Sequence, residues 1–167
     1  MDGRRLVVTL LVLCGIASTL KGQAVLPDRS RDKEIHENVF GLGLAGGPMS
    51  GVGLSFRHHL PTALSYQIVG GIIKVNDRLS YSIGAEVQYD LVRSVISRFY
   101  VGGGAGYFYS GSSSHNEMDG PARIGLGIGG EYVAGPNLDV AVELMFTYFS
   151  DGTVLPLPQI GIHYYFY

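Results

Sequence analysis

From Asn38 to Tyr167 the chain alternates apolar side chains with small or polar ones, at a period of two, in eight segments. Successive side chains of a strand point to opposite faces, whereas a helix would scatter both sets around its circumference. The stretch 79–91 is the clearest case. Leu79, Tyr81, Ile83, Ala85, Val87, Tyr89 and Leu91 form one apolar face, and Ser80, Ser82, Gly84, Glu86, Gln88 and Asp90 form the other. The same rule places strands near 38–46, 50–59, 63–74, 96–109, 122–133, 138–149 and 158–167. The pattern blurs in the third, where Val69 and Ile73 fall on the polar face.

Turn signals separate the segments: Gly47-Pro48, Leu60-Pro61, Asn76-Asp77, Gly135-Pro136-Asn137 and Asp151-Gly152. The longest gaps, 110–121 and 150–157, follow the fifth and seventh strands. A meander that starts in the periplasm puts those gaps outside, where bacterial barrels carry their long loops.

Alternation alone also suits lipocalin-like barrels and β-sandwiches. The chemistry of the two faces separates them. A soluble barrel would have to bury many Tyr and Phe and show water a face of mostly Gly, Ala and Ser. Soluble surfaces are about 25–35% charged, and this face carries roughly one charge per strand. Inverted, the pattern fits. An eight-stranded barrel has a lumen just wide enough for side chains, which suits Gly and Ser, while Leu, Ile, Val and Phe face lipid. Tyr81, Tyr89, Tyr107, Tyr109, Tyr132, Tyr148, Tyr164 and Phe166 would supply the interfacial girdles. The expected fold class is all-β, an eight-stranded antiparallel up-and-down transmembrane β-barrel.

Residues 1–24 read as a cleaved signal peptide. Arg4 and Arg5 precede an uncharged run from Leu6 to Ile16, and Gly22-Gln23-Ala24 offers a small-x-small cleavage site. Cys14 is the only cysteine, and Leu13 stands where a lipobox needs a small residue. Residues 25–37 read as a short charged periplasmic leader and 38–167 as the barrel. Losing Asp2, Arg4, Arg5 and Lys21 takes the formal charge from −2 to −4, which does not suit nucleic acid.

The inward face carries Arg57, Glu86, Asp90, Arg98, Arg123, Glu131, Asp139 and Glu143. Arg123 is expected near Glu131 or Glu143. The leading reading is a network of salt bridges that fills the lumen and fixes register. A gated ion path is the alternative, with a proton or catalytic relay behind it. His58 and His59 are adjacent and so point to opposite faces, and no His/Glu or Cys cluster has metal spacing. The Gly runs GVG and VGGGAG sit inside strands with no following helix, so they make no phosphate cradle. No metal or other cofactor is expected.

FYVGGGAGYFY in the fifth strand, IGLGIGGEY in the sixth and the aromatic IGIHYYFY resemble the small OmpA-like and OmpX-like barrels of Gram-negative outer membranes, the generic porin-family barrel domain. The resemblance implies residence in the cell outer membrane. It also implies lipids and the barrel-insertion machinery as partners, although Tyr167 lies one residue beyond the lipid-facing Phe166. Lipid A deacylases are also eight-stranded and carry a late His-x-Ser-Asn element. Here FTYFSDG (146–152) sits in a similar place, with Tyr148 where the histidine base would be. The expectation is a monomeric, non-enzymatic barrel with a structural or surface-interaction role, an unknown extracellular ligand and a largely filled lumen. A narrow channel for ions or small molecules is the alternative.

Overall fold

A computed structural model describes residues 38–112 and 115–166. The signal-peptide and leader readings, and Tyr167, lie outside the described residues. Eight strands close into one barrel in sequence order. They are β1 (Val39–Gly47), β2 (Gly51–His59), β3 (Leu64–Val75), β4 (Arg78–Arg93), β5 (Ser97–Gly111), β6 (Ala122–Val133), β7 (Leu138–Phe149) and β8 (Val154–Phe166). Every neighbouring pair is antiparallel, and β1 closes on β8 from Phe40↔Phe166 to Gly46↔Ile160. Closure leaves each strand a partner on both sides, as backbone crossing hydrocarbon requires.

The alternation becomes an inside-out molecule. Among the described residues, seventeen buried side chains are polar or charged and nine are apolar. Leu42, Leu54, Ile83, Val87, Leu126, Ile128 and Phe146 all point outward and are half or more exposed. Soluble monomers rarely expose apolar patches beyond a few hundred Å², so this exterior is a lipid-facing surface. Aromatic rings gather at its two ends. Tyr81 stacks on Tyr109 at 5.0 Å at one end, and Phe40 lies 5.8 Å from Phe166 at the other. The upper end here is the one carrying the connections after β1, β3, β5 and β7.

Three features depart from the sequence pattern. A bulge between Asp90 and Val92 turns both Leu91 and Val92 outward and extends β4 to Arg93, whose guanidinium is thereby aimed back at Asp90. Second, β8 begins at Val154, and Leu155 to Pro158 pair with β7, so the expected loop 150–157 shrinks to 150–153. Pro156 and Pro158 lie within this stretch of β8. They are tolerated because β8 has no β1 partner above Ile160, so no ladder bond is lost there. Third, the expected contrast of long upper and short lower connections rests on 112–121 alone. The upper links 48–50, 76–77 and 150–153 are as short as the lower turns 60–63, 94–96 and 134–137.

Candidate functional site

The lower half of the lumen holds a cluster of charged side chains, each placed by strand phase. Arg57 (β2), Glu86 and Asp90 (β4), Arg98 (β5), Glu131 (β6), and Asp139 and Glu143 (β7) all point inward, and each is less than a tenth exposed. Glu131 is the hub. Its Oε2 lies 2.5 Å from Arg98 Nε and 3.1 Å from Arg57 Nη1, and its Oε1 accepts from the Tyr165 hydroxyl at 2.8 Å. Arg98 donates further to Asp90 Oδ1 (2.7 Å), Ser65 Oγ (2.9 Å) and Gln88 Oε1 (2.6 Å). Its guanidinium also lies 4.2 Å from the centre of the Tyr100 ring. Arg57 donates to Gln67 and reaches Glu143 at 3.3 Å.

Glu143 and Glu86 are held mainly by neutral donors. Glu143 accepts from the Tyr100 hydroxyl (2.5 Å), Gln88 (3.1 Å) and Gln159 (2.5 Å). Glu86 accepts from Gln88 (2.9 Å) and Gln159 (3.1 Å). Buried charges are tolerated when paired and hydrogen-bonded, and Gln88, Gln159, Tyr100 and Ser65 supply much of that shell around Glu86, Glu143 and Arg98.

Arg123 stands apart. It was expected beside Glu131 or Glu143, but it is the first inward position of β6, at the end opposite Glu131. There it donates to the Pro48 carbonyl (2.9 Å) and the Gly120 carbonyl (3.2 Å) and lies over Phe108 at 3.8 Å.

Above the network the β1–β2 hairpin folds into the barrel. Met49 and Ser50 are buried, and both backbone N–H groups donate to Gln159 Oε1, at 3.3 and 3.1 Å. The Ser50 hydroxyl reaches the same oxygen at 3.1 Å. The space is made by glycines across the lumen. A Cβ on Gly106 would lie 2.0 Å from the Met49 carbonyl oxygen, and one on Gly84 would lie 2.4 Å from that of Ser50.

One hydroxyl–imidazole contact has the form of a nucleophile with its base: Ser55 Oγ lies 2.8 Å from His163 Nε2. Both residues are at most 2% exposed, inside the same packed lumen, so no substrate reaches them. Tyr148, at the position compared with a deacylase base, points outward. No group of three or more His, Cys, Asp or Glu with metal-binding geometry occurs among the described residues.

Sequence reasoning left out Tyr100, Tyr165, Met145 and Phe108, all buried inside. Their parity gives them away, since Tyr100 follows Arg98 by two positions and Tyr165 follows His163 by two. The inward hairpin has one indirect trace, the clustering of inward glycines on β4, β5 and β6.

Closed barrel, apolar exterior and polar lumen define the fold of the small outer-membrane β-barrels, the OmpA-like and OmpX-like kind. The N-terminal β-barrel domain of Pseudomonas aeruginosa OprF superposes with a TM-score of 0.58 at 17% identity, over 78% of this chain and 98% of that one. The Yersinia pestis outer membrane protein Ail matches at a TM-score of 0.45 and 15% identity, over 77% of this chain and 97% of that one. Neisserial surface protein A matches at 0.39 and 20%, over 76% and 92%. No family model and no curated protein matches the chain.

Proposed function

We propose that this chain is an integral protein of the outer membrane with a non-conducting lumen and a structural or surface-interaction role. The observation that supports this best is the contrast between its two surfaces. The exterior is apolar between two aromatic ends, and the interior is spanned by mutually bonded side chains beneath an inserted hairpin. In this reading membrane lipids solvate the exterior, the barrel-insertion machinery delivers the chain, and the protein works as a monomer. The upper connection 112–121 is what it presents. Its described part, 115–121, is tied down by Asn116, which accepts from Ser110 N and Met118 N and donates to the Phe108 carbonyl. A tied loop suits recognition, because less entropy is lost on binding.

Catalysis has no support in the site, since the Ser55–His163 pair is sealed. The narrow channel is the second reading, favoured by the row of ionisable groups along the lumen axis. Planar-bilayer conductance separates the two. A filled lumen gives no steady single-channel steps. Steady steps abolished by Glu86→Gln or Glu131→Gln would instead establish the channel.

A further inference from the structure

The wall of the barrel has a notch. Pairing between β2 and β3 stops at Leu54↔Gly70, whereas pairing between β3 and β4 continues up to Val75↔Arg78. β2 leaves the wall because its tip belongs to the inserted hairpin. There the Val52 N–H donates to Ser82 Oγ at 2.9 Å, and that hydroxyl donates back to the Val52 carbonyl at 3.1 Å. From Gly71 to Val75, β3 therefore has no strand partner on its β2 side.

The gap is apolar. A hollow of about 740 Å³ opens there, walled on the lipid side by Leu44, Leu54, Ile72 and Ile83. Val52 and Ile73 line both it and a second hollow of about 210 Å³ at the mouth, which Phe108 and Met118 complete. The larger volume lies within the usual range for small-molecule sites. The path ends there, because Met49, Ser50 and Gln159 close the lumen below.

A cation stands at the outer lip. Lys74 is two positions above Ile72 on the same face of β3, and it is exposed with no ion pair or hydrogen bond among the described residues. Of the charges nearby, Arg78 is engaged with Glu117 at 3.5 Å, and Asp77 lies in the adjoining turn.

We propose that the β2–β3 notch is a binding site for an anionic membrane lipid, with one acyl chain lying between Leu54 and Ile72 and its phosphate at the Lys74 ammonium. The opening faces the bilayer, so the nearest ligand is already a lipid. The blind floor makes it a holding site and not a transport path. The unpartnered β3 edge gives backbone donors at headgroup depth, where they would otherwise need water.

This rests on the membrane reading, and the test reports on each separately. The chain has no tryptophan, so single tryptophans can be read cleanly. Ile73→Trp places one in the notch, and Ile128→Trp places one on the plain lipid face of β6. Each is reconstituted with brominated-chain phosphatidylglycerol or phosphatidylcholine. The proposal expects Ile128→Trp to be quenched equally by both, and Ile73→Trp to be quenched more by phosphatidylglycerol, with Lys74→Gln erasing the difference. As a check on the unmodified notch, native mass spectrometry should find phosphatidylglycerol retained over phosphatidylcholine by about fivefold, the weight of one basic side chain at an anionic surface. Quenching of Ile128→Trp without Ile73→Trp, or equal retention of the two lipids, overturns the notch alone. Absence of quenching at Ile128→Trp overturns the membrane reading and the notch with it.

Discussion

Glu131→Gln removes one negative charge from the centre of the lumen network and leaves its shape unchanged. In the native protein that carboxylate is 2.5 Å from Arg98 Nε and 3.1 Å from Arg57 Nη1, and it accepts from Tyr165 at 2.8 Å. Arg57 and Arg98 are 1% and 3% exposed, so neither guanidinium can turn to water. Removing one partner of a buried ion pair costs about 3–5 kcal/mol. The amide keeps one acceptor for Arg98, so a loss near 3 kcal/mol is expected (~3 kcal/mol, the low end of that range). Glu86→Gln is the matched control. Glu86 is equally buried but accepts only from the Gln88 and Gln159 amides, so its replacement breaks no ion pair, leaves one amide donor facing another, and should cost about 1 kcal/mol, the low end for a buried unmet donor. Urea unfolding in phospholipid vesicles, followed by the gel mobility of the folded form, measures both. In a water-filled lumen the pairs would be solvated and worth about 0–1 kcal/mol. If the two variants then differ by less than about 1 kcal/mol, the packed-network account is wrong.

Val87→Arg puts a charge on the lipid face of β4 and should cost about 2–4 kcal/mol near mid-bilayer in the same assay. Gly106→Ala places a methyl 2.0 Å from the Met49 carbonyl oxygen. The hairpin must lift, so Met49 should be oxidised by peroxide faster than in the native barrel, as read by peptide mass spectrometry. Arg123→Ala removes a half-exposed cation that lies over Phe108 and Phe149 and should cost about 1 kcal/mol, the scale of exposed cation–π contacts. Arg98→Ala should cost several times more, because it takes from buried Glu131 and Asp90 one of the two guanidinium partners each has, and leaves only Arg57 and Arg93 to them.

Strand phase was legible in the sequence wherever one face is uniform. β4 alternates without interruption, and the structure follows it from Ser80 to Asp90. The inward placement of Arg57, Glu86, Asp90, Arg98, Glu131 and Glu143 follows from the same parity, since a one-residue slip would send every charge into lipid. Val69 broke the pattern on paper and is fully buried in the lumen, where an apolar side chain is tolerated as filling. Strand length was harder. Pro156 and Pro158 signal turns locally, and only the height of the neighbouring strand decides whether they lie in a ladder or on an edge. Arg123 shows the same limit: parity gives its face, but its height against Glu131 depends on the stagger of neighbouring strands. The inserted hairpin was least legible. Its turn residues Gly47-Pro48 do not say which way the turn bends. The space that receives it is formed by Gly84, Gly106 and Gly125, on three other strands.

Each face of the barrel meets a different solvent, and nuclear Overhauser contacts of side-chain methyls in protonated-lipid nanodiscs read which one without altering the chain. Ile83, Val87, Ile128 and Leu144 are about half exposed on the outside, and Val69 and Met145 are at most 1% exposed within. The prediction is cross-relaxation from acyl methylenes to the first four, and from neither lipid nor water to the last two. Water contacts at Val69 and Met145 would mean an open lumen, and lipid-free methyls at Ile83, Val87, Ile128 and Leu144 would mean that the apolar face does not meet the membrane.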